Sequence, residues 1–473
     1  MTPSLRQPLF FVLLLAIPCS ARLNPGDNPT DNPVDPSPWA LAQLKSTPAH
    51  EEYAPGDPWD PQTAASLPRI LLDRKYAEAT ALKNNPTISV ARLNALASQQ
   101  VTRETKSSLW PSASINLTGV DAYDDSRIAA GGLNNPVIYA RAAAGATVSQ
   151  LITDFGRTTN LVASARLRAK AEDQNAIATK EDVLLAVDQA FYNALAAKAV
   201  RKVAEQTVNS RQLLTDQVTA LAKSKLKSDL DLSFANVNLA QATLLQLDAE
   251  NNEQAALANL SAVLGYPALQ NFELVEDTDP LIAPPGNPTQ LITDALSMRP
   301  ELLSLGFQSE AADKFRAAQR DELFPTISAL GAIGDTPVRD NRLSPWFGAV
   351  GVNVQIPVFN GFLFSARTHE ADLRAQAEKQ RILDLRNRIA RDVRTSWLSA
   401  STAYQRLSVS RQLLAQANQA LDLAQTRYQL GLGSIVELSQ AQLQQTQAEI
   451  GDAQAGYGYR LALSVLRYQT TGL

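Results

Sequence analysis

Asp231 and Glu437 are ionisable residues that recur at a fixed spacing in this chain. They sit in Ser228-Asp229-Leu230-Asp231-Leu232 and Ser434-Ile435-Val436-Glu437-Leu438, and each residue of the second run lies 206 positions after its counterpart. A serine just before an apolar-periodic segment is a helix start signal, and carboxylates are favoured at helix N-termini by the dipole. Lys223, Lys225 and Lys227 precede the first run; Tyr428, Gly431 and Gly433 precede the second, and Gln440 follows it. Lysines there suit the C-terminus of an incoming helix. Glycines there allow another backbone to approach closely. Other chemistry is sparse. The two histidines, His50 and His369, lie far apart and Cys19 is the single cysteine, which argues against a His/Cys metal site. A carboxylate-only metal site stays open. No Walker loop or dinucleotide glycine fingerprint occurs. The expectation is no enzyme, no cofactor and no resident metal.

The spacing belongs to a larger duplication. At the same offset Val187 meets Val393, Ala235 meets Ala441, Gln241 meets Gln447 and Ala242 meets Ala448. Within eight residues of that offset Trp110-Pro111 returns as Phe324-Pro325, Gln150 as Gln355 and Gly156 as Gly361. Leu82–Pro86 returns as Leu296–Pro300. A repeat of this length is a duplicated multi-element unit rather than a solenoid repeat. Two copies of one unit favour walls around an axis, hence a conduit over a catalytic pocket.

Residues 1–21 read as a secretory signal peptide, with Arg6 before the apolar run Leu9–Ile17. That run is too short to span a bilayer. Cleavage after Ala21 and lipidation of Cys19 are both open; Pro18 and Ala16 fit a lipobox poorly. Residues 22–63 are rich in Pro, Asp and Asn and read as an extended leader without a core. No other stretch approaches the roughly 20 apolar residues of a membrane helix. The formal charge of −4 and the lack of a basic block argue against nucleic acid.

Repeat 1 spans 64–270 and repeat 2 spans 271–473. Repeat 1 opens with a helix over Ala64–Lys83, then a second from Pro86, closed by Pro111. The period then changes to two. Strands are expected at about 112–119 and 137–149 in repeat 1, and at about 326–334 and 346–357 in repeat 2. Their length, near ten residues, is what a tilted barrel strand needs to cross a bilayer. Trp110, Tyr139, Phe324, Trp346, Phe347 and Phe359 near their ends suit an interfacial girdle. A soluble sandwich edge is the alternative. Arg157–Leu264 and Phe362–Leu430 then run for 108 and 69 residues without Gly or Pro. Their apolar steps of three and four suit long helices packed as coiled coils. Each must turn back, at about 223–228 in repeat 1 and 430–434 in repeat 2. The returning helix is half as long, so the helix from Pro86 stacks on it end to end. Phe191, Tyr192 and Trp397 read as coiled-coil core.

With its Pro-terminated strand entries, Phe359-Asn360-Gly361 before the second long helix, and Tyr428–Leu438 at the second tip, the chain resembles the TolC family of outer-membrane channel proteins across residues 64–473. The resemblance implies an α+β membrane protein made mainly of long α-helical coiled-coil hairpins in two structural repeats. Two β-hairpins, four strands in all, would complete a 12-stranded barrel in a homotrimer within outer-membrane lipid. The function implied is a passive exit duct for a tripartite efflux pump or type I secretion system, with a periplasmic adaptor protein and an inner-membrane transporter as partners. A periplasmic coiled-coil adaptor or scaffold is the alternative. The resemblance further implies a tunnel aperture at Asp231, Tyr428, Glu437 and Gln440. There Gly433 stands where a basic latch partner often lies, so a weak salt-bridge latch is expected. Lys223, Lys225, Lys227, Gly431 and Gly433 would be adaptor-contact tips. Arg141, Thr147, Asn353 and Gln355 would line the barrel lumen. Rings of carboxylates at a constriction favour cations.

Overall fold

A computed structural model describes residues 69–121, 141–276, 280–339 and 344–470. The signal peptide with Cys19, the leader and Tyr139 lie outside these residues. The duplication reappears as matched lengths. Helices α1 (Arg74–Asn84) and α5 (Pro288–Met298) have 11 residues each, and α2 (Pro86–Ser107) and α6 (Pro300–Asp321) have 22. The long helices α3 (Arg157–Lys223) and α7 (Leu363–Gln429) have 67, about 100 Å at roughly 1.5 Å per residue. Each turns back into a shorter helix, α4 (Asp229–Val263) or α8 (Ile435–Thr470).

The end-to-end stacking is built by one side chain in each repeat. Asn85 accepts from Thr87 N–H at 2.9 Å, capping α2, and its amide donates to Val263 O at 2.8 Å, closing α4. Gly265, at φ +83, lets the chain pass; a Cβ there would lie 2.7 Å from Asn84 O. In repeat 2 Arg299 takes this place, donating to Gln469 Oε1 at 2.8 Å. The first helix starts later than the expected Ala64: residues Ile70–Leu72 form β1, paired in parallel with β4 (Phe272–Leu274). Asp73 then caps α1. Burial of Leu72, Phe272 and Leu274 against Phe191 and Leu195 decides for strand.

The other strands form one antiparallel sheet, β2 (Ser112–Val120), β3 (Arg141–Thr153), β5 (Thr326–Val338) and β6 (Trp346–Gln355), in that order. β3 and β5 run four residues past the expected ends at 149 and 334, because they pair with each other across the repeat junction. Register places Ile115, Ala146, Ile333 and Gly348 in one row, and Ser114, Thr147, Ala332 and Ala349 in the next. One face is therefore apolar, with Ile115, Leu117, Ile333, Val350 and Val352 all well exposed. The other carries Ser114, Asn116, Thr118, Thr147, Asn353 and Gln355. Adjacent aromatics divide between them. Trp346 joins the apolar face, but Phe347 lies across the polar face over Gly145 and Gly334, so it does not belong to a lipid girdle. A Cβ on Gly334 would lie 2.4 Å from the Phe347 ring.

Alanines at matching positions bring the long helices together: Ala169 and Ala375, Ala194 and Ala400, Ala235 and Ala441, and Ala242 and Ala448 are buried in both repeats. Val187 and Val393 are fully buried. Phe191 and Tyr192 are core as expected, but Trp397 is half-buried and its indole N–H donates to Pro285 O. The loop leading to α5 thus covers the position that core packing fills in repeat 1. One 18-residue window of α3 reaches mean hydropathy 1.2, more apolar than the sequence reading allowed; half of it is buried in this packing, as in a core helix. Where helices meet sheet, Glu322 takes Arg157 of α3 at 2.6 Å and Arg367 of α7 at 3.3 Å. This clamp ties both long helices to the end of α6.

Candidate functional site

The two hairpin tips lie side by side, joined by a cluster of Val218, Ala235, Ala424, Tyr428, Ile435, Leu438 and Ala441. Asn238 of α4 donates to Ser439 Oγ of α8 at 2.7 Å just behind it. Both tips use the same turn. Gly431 is left-handed at φ +72 and Leu432 N–H returns to Arg427 O at 2.8 Å. In the glycine-free tip Lys225 takes the left-handed position at φ +59, and Leu226 N–H returns to Leu221 O at 2.9 Å. A left-handed non-glycine costs about 1–2 kcal/mol, offset by the helices it joins.

The two carboxylates first serve the helices that carry them. Asp231 accepts from Ser228 N–H at 3.1 Å while Ser228 Oγ accepts from Asp231 N–H at 3.1 Å, a capping box at the start of α4. Ser434 Oγ accepts from Glu437 N–H at 3.1 Å, but the Glu437 carboxylate pairs with Arg427 Nε at 3.2 Å. Gly433 leaves room beside that pair, since a Cβ there would lie 3.2 Å from Arg427 Cβ and 3.3 Å from Glu437 Oε2. Gln440 is exposed one turn further on.

The link between tips differs from the expected one. The position of Gly433 corresponds in repeat 1 to Lys227, and Lys227 supplies the cation. Its Nζ stands 3.8 Å from the centre of the Tyr428 ring and 3.5 Å from Tyr428 O. Lys227 is therefore half-buried between the tips rather than projecting toward a partner, while Lys223 and Lys225 are exposed. Tyr428 is buried and its hydroxyl has no hydrogen-bond partner among the described residues. Burial, reinforced by the charge of Asp231, pushes that hydroxyl's pKa upward. The contact thus uses the ring face.

Sequence reasoning passed over Arg427, Asn238, Ser439 and a set of exposed apolar residues on the tips. Leu226 and Leu432 are 71% and 70% exposed, Leu230 and Val436 64% and 54%. Their recurrence at the repeat offset was a usable signal. At the sheet, Thr147 shares a hydrogen bond with Ser114 at 2.8 Å and lies on one face with Asn353 and Gln355, while Arg141 stands opposite Val120 in register. No group of three His, Cys, Asp or Glu among the described residues is placed to hold a metal.

The family described as outer membrane efflux protein matches residues 79–266 and 291–469. Over 318 residues the chain is 25% identical to the cation efflux system protein CusC of Escherichia coli, covering 61% of this chain and 63% of that protein. It is 24% identical to the pyoverdine export outer membrane protein OpmQ of Pseudomonas aeruginosa over 309 residues, 63% of each. The chain thus spans a little under two thirds of these relatives. The crystal structure of the outer membrane protein VceC of Vibrio cholerae is similar with a TM-score of 0.72 at 16% identity, covering 84% of this chain and 96% of that one.

Proposed function

The chain belongs to the outer membrane efflux protein family, and from that premise we propose that it is the exit duct of a tripartite export system, passive and driven from the inner membrane. The observation that carries this reading is the sheet: an exposed apolar face backed by a polar one, continuous with helices about 100 Å long. Only a closed barrel satisfies every strand edge in lipid. Four strands are too few to close alone, so several chains must share one barrel, and the resemblance to the family implies three chains and twelve strands. The helical hairpins then form a tunnel in the periplasm with the tips at its inner mouth.

At that mouth Asp231 and Glu437 contribute negative charge and Arg427 and Lys227 offset it. Lys223, Lys225, Gly431 and the exposed leucines form the end surface offered to a periplasmic adaptor, which connects the duct to an inner-membrane transporter. Thr147, Asn353 and Gln355 face the barrel lumen. A soluble adaptor or scaffold fits less well, since such a protein has no use for an exposed apolar sheet face.

Fractionation and planar-bilayer recording test the proposal. The protein is expected in outer membranes as a detergent-stable trimer that conducts ions. Glu437→Ala, which leaves Arg427 unpaired, is expected to shift selectivity toward anions. A water-soluble monomer without conductance would falsify the duct, and unchanged selectivity would remove Glu437 from the constriction.

A further inference from the structure

Phe347 is the one aromatic side chain that the described residues of the four-stranded sheet place on its polar face. It closes a row of facing residues, Asn116, Gly145, Gly334 and Phe347, on β2, β3, β5 and β6. The neighbouring row on that face, Ser114, Thr147, Ala332 and Ala349, is made of short side chains. β6 runs from Trp346 toward α7, so Phe347 stands at the end of the sheet far from the helices.

Two glycines facing each other on adjacent strands are costly, because each weakens its strand and leaves nothing to pack. Elsewhere in the sheet, Gly119, Gly331 and Gly351 have open space where a Cβ would go. Gly145 and Gly334 differ. A Cβ on Gly145 would lie 3.3 Å from Phe347 Cζ, and one on Gly334 would lie 2.4 Å from it. The ring therefore occupies the floor that these two glycines leave bare. It covers their backbone, as an aromatic beside a cross-strand glycine does. Phe347 is still 46% exposed, so a large part of it faces the space above the sheet.

Resting on the duct reading, we propose that Phe347 sets the bore of the barrel near its outer mouth, with the floor of Gly145 and Gly334 holding its ring back against the wall. Each chain contributes one ring at the same level. Twelve strands about 4.8 Å apart and tilted by about 40° give a backbone radius of about 12 Å. Rings standing off that wall would take up much of the opening, and pore diameter decides which solutes pass. Phe347 is thus a size-determining residue for cargo leaving the duct, and the two glycines are its positioning residues.

Entry of thiol reagents past the ring tests the proposal. Ser149 lies on the polar face, further toward the helices than Gly145. The full-length Ser149→Cys protein is placed in planar bilayers. A small methanethiosulfonate or the bulkier fluorescein maleimide is added to the chamber facing the outer mouth. Modification is counted as stepwise block of the current, and the protein without Ser149→Cys scores any block through Cys19. Gly145→Val fills the floor and is chosen over Gly334→Ala, whose Cβ would also meet Ala144 O at 2.7 Å. It is expected to slow the maleimide roughly tenfold while the small reagent keeps its rate. Adding Phe347→Ala should restore the maleimide rate. Phe347→Ala alone keeps both glycines and should speed the maleimide about twofold or more, which carries the test should Gly145→Val fail to assemble. Undiminished entry in Gly145→Val, a slowing that Phe347→Ala does not relieve, or an unchanged rate in Phe347→Ala alone would each overturn the bore-setting role and leave the duct standing. A parent protein without conductance would sink the duct reading, and the bore with it.

Discussion

Replacing Lys227 with methionine keeps the aliphatic stem and removes the charge held over Tyr428. A cation over an aromatic ring contributes about 0.5–1 kcal/mol when exposed and about 2 when desolvated. Lys227 is half-buried at 3.8 Å from the ring centre, so about 1 kcal/mol per chain is reasonable. If the three chains of the proposed duct part their tips together, the loss is about 3 kcal/mol, near a hundredfold shift toward the open state at roughly 1.4 kcal/mol per factor of ten. Single-channel open probability in planar bilayers measures it. Tyr428→Phe is the decisive companion. The Tyr428 hydroxyl makes no hydrogen bond among the described residues, so its removal leaves the ring contact intact and relieves a buried polar group. Lys227→Met is therefore expected to open the duct and Tyr428→Phe to leave it closed. Equal opening by both variants would refute a ring-face latch, because a hydroxyl contact would then hold the tips.

Two further outcomes follow from the same structure. Leu226→Glu combined with Leu432→Glu places charge at 71% and 70% exposed positions of the tips. It is expected to cut cross-linking to a periplasmic adaptor by tenfold or more with bilayer conductance unchanged; undiminished cross-linking would remove these leucines from the docking surface. Burial, with a hydrogen bond to Glu276, pushes the Tyr457 hydroxyl up to about 12. The folded chain then keeps a proton that the unfolded chain releases near pH 10, so this contribution is full below about pH 10 and lost as pH rises to about 12. Thermal melts at pH 9 and 11 should show a smaller alkaline loss for Tyr457→Phe than for the parent, and parallel losses would contradict the linkage.

Much of the fold was legible because its determinants are local. Long runs without Gly or Pro, filled with Ala, Leu, Gln and Arg, favour helix, prolines at 111 and 325 stop helices, and alternation after them favours strands. The matched helix lengths follow from the duplication that the offset of Asp231 and Glu437 had exposed. The strand ends at Thr153 and Val338 were not legible, since pairing between β3 and β5 sets them across well over a hundred residues of chain. Nor was β1, three residues whose strand state depends on β4.

The candidate site divides along the same line. Ser228 with Asp231, and Ser434 with Glu437, mark helix starts through hydrogen bonds spanning three residues, so the pattern alone determines them. The contact between the tips joins Lys227 to Tyr428, 201 positions apart. Its cation comes from the opposite tip, where Lys227 holds the position that Gly433, having no side chain, holds in repeat 2. Sequence alone determined which residues stand at the tips and where each hairpin turns. Only the packing of one hairpin against the other decided which of them touch, because that contact depends on how two helical pairs lie together rather than on spacing along either.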